Sequence, residues 1–430
     1  MATESKMDMI ISLAKRRGFI YPGSEIYGGL SNTWDFGPLG VALKKNIKDE
    51  WWRRFVDTRA DMVGIESALL MNPKVWEASG HLKEFSDPLV ECKNCHSRFR
   101  ADKVEGDKCP DCSGALTPAR QFNLMLKTFL GPVEEAAATV YFRPETAQGM
   151  FVNFENVVTT SRRRLPFGIA QIGKAFRNEI TPGNYIFRTR EFEQMEIEYF
   201  IREGEWEKYF NHWLSEMKKW IKALGLPDSD VIYEEIPDGE RAHYSKRTID
   251  VKYQFPFGLE ELYGLAYRGN FDLTNHKQTF LDPETNERFI PHCIEPTWGV
   301  ERTVLAVLTS SYEEDEKLDR VLLRLPFWLA PVKVAVFPLM KKPELTRKAE
   351  EIATLLRPHF PLEYDESGSV GKRYRRQDEI GTPFCLTIDF DSLEDNSVTV
   401  RDRDSGDQQR IQISNLISYL NEKFQANHPA

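Results

Sequence analysis

Residues 176–196, FRNEITPGNYIFRTREFEQME, set three arginines (Arg177, Arg188, Arg190) among four glutamates (Glu179, Glu191, Glu193, Glu196), around a loop carrying Pro182, Gly183 and Asn184. At period two the run 191–201 divides by face from Met195 onward. Met195, Ile197, Tyr199 and Ile201 fall on one side; Phe192, Gln194, Glu196, Glu198 and Phe200 fall on the other. Such alternation predicts a strand with one face packed on helices and the other open. In the run before the loop, Arg177 and Glu179 share a face. If the two runs pair as a hairpin, Arg177, Glu179, Gln194 and Glu196 line one open surface. A half-solvated hairpin would have the same composition, so the alternation alone leaves a structural and a functional reading open.

Two more stretches combine acids and arginine with chain breakers. One is Arg143-Pro144-Glu145-Thr146-Ala147-Gln148-Gly149. The other is Ile294 to Arg302, IEPTWGVER, in which Gly299 opens a helical pattern with Arg302 in its first turn. With 430 residues the chain has room for about three domains, or one large and one small. A net charge of −9 argues against nonspecific coating of nucleic acid, which needs clustered cations. No run of 18 apolar residues occurs, so no membrane span is expected. The first 20 residues read as an amphipathic helix rather than a signal peptide.

Apolar residues at i+4 steps (Leu43, Ile47, Trp51, Phe55) predict a helix over 38–56, with Pro38 near its start. Residues 62–71 read as a strand closed by Asn72-Pro73, and 139–143, 167–179 and 191–201 as further strands. Helices are expected over 204–224 and 299–310. The proline-punctuated segment 325–331 marks a boundary, after which strands and helices alternate: strand 332–339, helix 345–360, helix then strand over 373–389, strand 397–404 and helix 413–424. The fold class is therefore α+β, an antiparallel sheet flanked by helices over residues 1–326, followed by a smaller α/β domain over 327–430. The run 371–376, GKRYRR, is the sharpest basic patch.

Cys92-x2-Cys95 and Cys109-x2-Cys112 stand thirteen residues apart, whereas Cys293 and Cys385 are isolated. Paired CxxC units of this kind predict a closed tetrahedral zinc site in a small insert, 92–112, and fit a reducing cytoplasm better than a disulfide framework.

Taken together, RPETAQG, FRNE…FRTREFEQME and IEPTWGVER resemble the signature motifs of class II aminoacyl-tRNA synthetases, in the wording of the single-polypeptide, homodimeric glycyl-tRNA synthetases. The helix 38–56 with the strand ending at Pro73 corresponds to the first motif; WEASGH at 76–81 also fits, and the last 100 or so residues are similar to the family's anticodon-binding domain. The resemblance implies attack of the glycine carboxylate on the α-phosphate of ATP, then transfer of glycine to tRNA for glycine. Charge gathers on phosphate oxygens in such a step, and arginine forks suit it. By resemblance, Arg177 holds the α-phosphate and the glycine carboxylate, Arg188 reaches the outer phosphates, and Glu179 accepts from the adenine amino group. Arg302 and Phe192 cover the two faces of adenine. Arg177, Glu179 and Arg302 are the catalytic set. Asn178, Phe187, Thr189, Arg190, Glu191, Glu261, Leu262, Gly299, Val300 and Glu301 complete the ATP segments.

Glycine has no side chain to grip, so carboxylates must hold its ammonium and bulk must close off its Cα. The resemblance gives the first task to Glu145, Glu196 and Glu295 and the second to Thr297. Arg100 and the neighbours Glu193, Gln194, Met195, Pro296 and Trp298 belong to the same implied segments. Mg²⁺ is expected on the phosphates, with Glu261 and Glu295 as its ligands or just behind them, and the loop 180–187 as a lid over ATP and the tRNA end. Two other readings stay open: a synthetase-like tRNA-binding protein without catalysis, and a class II synthetase for another amino acid.

Overall fold

The computed structural model describes residues 5–135, 138–316 and 320–429. The hairpin expected from the alternation is present. Strand Phe167–Phe176 pairs antiparallel with Glu191–Ile201, with Gln171 opposite Glu196 and Gly173 opposite Gln194. It lies in a seven-stranded sheet whose strands in chain order are β1 (Met62–Gly64), β2 (Phe167–Phe176), β3 (Glu191–Ile201), β4 (Val231–Glu235), β5 (Arg247–Phe255), β6 (Gly258–Gly269) and β7 (His292–Gly299). Their spatial order is β4-β5-β6-β7-β3-β2-β1, antiparallel except for the edge strand β1, which runs parallel to β2.

Parity along these strands decides what is buried. Met195, Ile197, Tyr199 and Ile201 of β3 join Trp298 of β7 in the main apolar core, under helices Pro38–Trp52, Trp206–Ala223 and Val300–Ser311. Leu43, Ile47 and Trp51 of the first helix and Phe210, Trp213, Met217 and Trp220 of the second recur at three- and four-residue steps and are buried. The Pro38–Trp52 helix starts at Gly37 without a side-chain cap. Packing holds it: truncating a buried aromatic such as Trp51 costs about 3–5 kcal/mol, well above the ~1 kcal/mol of a cap. On the opposite sheet face a smaller core (Met150, Phe151, Phe154, Phe167, Phe200) covers one end and leaves the other end open.

Several boundaries differ from expectation. Residues 62–71 form two strands, not one. Met62–Gly64 enters the large sheet, while Leu70–Met71 pairs with Thr139–Phe142 in a separate sheet. The bend between them is held by Gln171, whose side chain accepts from the Ser67 backbone N–H at 2.7 Å and its hydroxyl at 2.9 Å. The strand expected over 167–179 ends at Phe176, because Arg177 turns to bridge Met125. Strands β4, β5 and β6 were not foreseen, and β7 was read only as the run leading into a helix at Gly299.

The C-terminal part has its own sheet, β8 (Val334–Pro338), β9 (Leu362–Tyr364), β10 (Phe384–Ile388), β11 (Ser397–Asp402) and β12 (Gln408–Gln412), ordered β9-β8-β10-β11-β12, and its own apolar core. Its basic patch needs correction. Arg373 is buried and donates to the carbonyls of Pro338 and Gly368; Arg376 pairs with Asp365. Arg401 is paired with Asp378, and Arg403 donates to Leu325 O at 2.7 Å and Gly381 O at 2.8 Å. These cations brace the fold. The first helix, Lys6–Arg17, is amphipathic as expected and buries Ile10, Leu13 and Ala14. Among the described residues no helix is long and apolar enough to cross a membrane.

Candidate active site

The open end of the sheet is a cavity of about 460 Å³ walled by Arg177, Glu179, Gln194 and Glu196 together with residues of β5, β6 and β7. Its two ends differ in chemistry.

At one end sit the arginines and aromatic rings. Arg177 donates through Nε to Pro144 O at 3.0 Å, and its guanidinium lies 5.4 Å from the Phe192 ring and 5.3 Å from that of Phe85. This holds the fork flat and leaves its terminal nitrogens without a protein partner among the described residues. Arg302 stacks 4.4 Å from the Phe187 ring and donates to Glu261 O at 2.8 Å. Arg188 stands 3.9 Å from Glu179. Leu262, Thr189, Gly299 and Glu301 also reach the wall. Asp250, a wall residue that sequence reasoning missed, is pushed up to about 7 by burial and by the neighbouring Glu261 carboxylate.

At the other end sit buried acids. Glu196 accepts from Thr146 and from Thr297 Oγ1 at 2.8 Å. Glu295 accepts from Arg268 at 2.7 Å, and Arg268 also grips Asp272 at 2.7 and 2.8 Å. Burial, with Glu145 next to it, pushes Glu196 up. Burial likewise pushes Glu295 well up against the pull of Arg268, with Glu196 and Glu145 adding to the rise. For Glu145, burial is outweighed by the His81 ring and the Arg268 guanidinium, which hold it below the usual carboxylate range. The pocket therefore concentrates carboxylates faster than cations, and a buried cation from outside would relieve that imbalance.

The Arg143–Gly149 segment is fixed over β2 by Arg143, which is buried and donates to Lys174 O at 2.7 Å, Ser67 O at 2.9 Å and Gln171 Oε1 at 3.0 Å. Gly173 is required here: a Cβ at that position would stand 2.1 Å from the Arg143 guanidinium.

Not every expected residue reaches the wall. Met195, Pro296, Trp298 and Val300 are buried off the wall, and Met195, Trp298 and Val300 pack in the main core. By strand parity, Met195, Pro296 and Trp298 lie on the helix-covered face. Glu193, of the same parity, pairs with Lys44 and Lys48, and Glu301 shares Lys44. Glu191 is tied to Lys174, and Arg190 donates to Glu179 O and Ser31 O. Asn178 hydrogen-bonds through its backbone to Leu124, outside the cavity. Arg100 is held by Asp87 and Asp102, both at 2.9 Å, and does not line the cavity, although it feels the charge of the wall residue Glu179. In the loop expected as a lid, Tyr185, Ile186 and Phe187 are buried in the main core, so the segment is anchored at its C-terminal half. Arg268, Asp272, His81, Thr146 and Gln148 were given no role, although His81 closes WEASGH and Thr146 and Gln148 lie within RPETAQG. For Arg268 the local signal was its place four residues before Asp272.

The insert brings Cys92 and Cys112 to 3.5 Å and Cys95 and Cys109 to 3.6 Å between sulfurs, with all four within 4.8 Å. A tetrahedral zinc with Zn–S of about 2.3 Å has sulfur–sulfur edges of about 3.8 Å, which the four thiols match.

Comparison with known proteins accords with this geometry. Residues 132–311 match the tRNA synthetase class II core domain (G, H, P, S and T), and residues 333–423 match the anticodon binding domain. The chain is 53% identical to a glycine–tRNA ligase of Alkaliphilus oremlandii, over 99% of this chain and 100% of the relative. It is 51% identical to that of Caldanaerobacter subterraneus subsp. tengcongensis and 50% to that of Clostridium tetani, with the same coverage. With half or more of its residues identical to these ligases along its full length, and both domain matches in the order the fold shows, the chain belongs to the glycine–tRNA ligase family.

Proposed function

We propose that the chain joins glycine to the 3′ end of its tRNA in two steps, using ATP. The observation that carries this reading is the division of one cavity into an arginine-and-ring end and an acid end. In the first step a glycine carboxylate oxygen attacks the α-phosphorus, and the bond to the bridging oxygen breaks to release pyrophosphate. In the second, a hydroxyl of the terminal ribose attacks the glycyl carbonyl and AMP leaves. No side-chain nucleophile is needed; positioning and fixed charge carry both steps.

Arg177 holds the α-phosphate and the glycine carboxylate, and its two free terminal nitrogens suit that fork-to-oxygen contact. Arg188 meets the outer phosphates. Glu179 reads the adenine amino group, with Phe192 and Arg302 on the ring faces. Glu145, Glu196 and Glu295 surround the ammonium, and Thr297 restricts the space at Cα. Mg²⁺ bound to the phosphates would supply charge neutralisation there. Glu261 with Asp250 fits it better than Glu295, because Glu261 and Asp250 are neighbouring wall residues close to Arg302, whereas Glu295 is paired with Arg268 among the buried acids. The catalytic unit spans 1–326 and the anticodon-binding unit 327–430. Because Arg373, Arg376, Arg401 and Arg403 are used internally, recognition of anticodon bases rests on stacking and edge hydrogen bonds more than on bulk charge. Ile26, Tyr27, Leu30 and Val41 form an exposed apolar surface suited to a second copy of the chain, giving a homodimer, in the cytoplasm.

Glycine-dependent ATP–pyrophosphate exchange tests the reading; its absence would remove it. The zinc site carries a separate expectation. Protein prepared without chelator should hold about one zinc per chain through Cys92, Cys95, Cys109 and Cys112, and removing the metal should loosen the insert while the main sheet persists. Sub-stoichiometric zinc together with four titratable thiols would contradict it.

A further inference from the structure

We propose that His81 is a positioning residue for amino-acid selection, aiming Glu145 into the cavity through a Ser79–His81–Glu145 hydrogen-bond chain. The inference rests on the glycine-activating reading of the same site.

His81 is buried, its ring 5.6 Å from Trp76 and 5.3 Å from Phe85, so packing fixes its plane. The Ser79 hydroxyl is 2.8 Å from Nδ1 and 3.5 Å from Trp76 O. Nε2 faces Glu145 Oε2 at 3.3 Å, and a ring nitrogen set against a carboxylate carries its proton, so Nε2 is the donor of this pair. The other oxygen of Glu145 accepts from Gln148 at 3.0 Å. Gln148 is itself fixed by Asp272 at 2.9 Å and by His276 at 2.7 Å. Glu145 is therefore held on both oxygens, one contact each, which leaves a lone pair on each for an incoming ammonium. Burial by itself would push the Glu145 carboxyl up; the His81 ring works against this. The segment that supplies His81 is far from the three motifs in sequence, and it reaches Arg177 only through the Phe85 ring, whereas His81 itself faces Glu145. Its effect should thus fall mainly on the amino acid.

Glutamine in place of histidine offers an amide donor near the Nε2 position, whereas asparagine offers one near Nδ1. Exchange kinetics on the full-length chain separate the two. For His81→Ala we expect KM for glycine to rise about 10- to 100-fold, the range for losing a hydrogen bond to a charged group, with KM for ATP within about twofold of wild type. His81→Gln should recover most of the loss and His81→Asn little of it. Ser79→Ala should raise the glycine KM by a smaller factor. Equal changes in both KM values, or His81→Gln no better than His81→Asn, would overturn the role of His81. If His81→Ala does not fold, the Gln and Asn variants carry the comparison. Exchange by the wild type tests the underlying reading on its own, so wild-type exchange with indistinguishable variants sinks only this inference, and no wild-type exchange sinks both.

Discussion

Arg177→Ala is expected to lower glycine-dependent exchange by about 10³-fold or more while the protein stays folded. The size follows from position. A fixed guanidinium meeting charge that develops on a phosphate contributes about 10²- to 10⁵-fold in comparable sites. The stability cost should be small, because Arg177 makes one hydrogen bond, to Pro144 O, and two ring contacts at a half-buried site. That is worth about 1 kcal/mol. Arg177→Lys should recover little activity, since a single ammonium cannot reproduce a planar fork. The check is exchange measured beside thermal unfolding. Near-normal exchange with an intact fold would reject Arg177's role.

The largest stability effect is expected at Arg268. It is 1% exposed and neutralises both Asp272 and Glu295. Replacing it with methionine keeps the bulk but leaves two buried carboxylates beside Glu196 and Glu145. Breaking one side of a buried pair costs about 3–5 kcal/mol, a large part of a typical domain's stability. The pH dependence has a definite sign. Burial and like charge already push Glu295 and Glu196 up, and loss of Arg268 removes a counter-pull on both. The folded variant then binds more protons than its unfolded chain above the ordinary carboxylate range. Stability must fall as pH rises through that window. Urea unfolding at about pH 5 and pH 8 should show the deficit of Arg268→Met widening at the higher pH. A deficit that narrows with rising pH would contradict this account of the cluster.

Much of the site was legible because strand parity is a local property. Gln194 and Glu196 were assigned to an open face from alternation alone, and they are on it. The same parity puts Glu193 and Met195 on the helix side, where the structure has them. The four cysteines were legible for the same reason, since ligand spacing is written along the chain. Strand β5 also carries alternation (Ile249, Val251, Tyr253 and Phe255 are all buried), but no motif drew attention to it; β6 is buried without alternation from Tyr263 to Gly269 apart from Gly264, which hides its period. Arg268 was not legible. Its pairing with Glu295 joins β6 to β7 across 27 residues, and nothing in YRGNFDL signals burial of a charge. GKRYRR divides in the structure: helix Val370–Ile380 turns Arg373 inward, where its guanidinium donates to backbone carbonyls, while Lys372 and Arg375 stay exposed. A run of cations in sequence says nothing about where the counter-ions lie.

ATP–pyrophosphate exchange, run with each amino acid in turn, tests the central claim most directly. The acid end of the cavity and its restricted space predict exchange with glycine, and far weaker exchange with alanine or serine. Exchange driven by alanine or proline in place of glycine would contradict the assignment of Glu145, Glu196, Glu295 and Thr297, and no exchange with any amino acid would contradict the account as a whole.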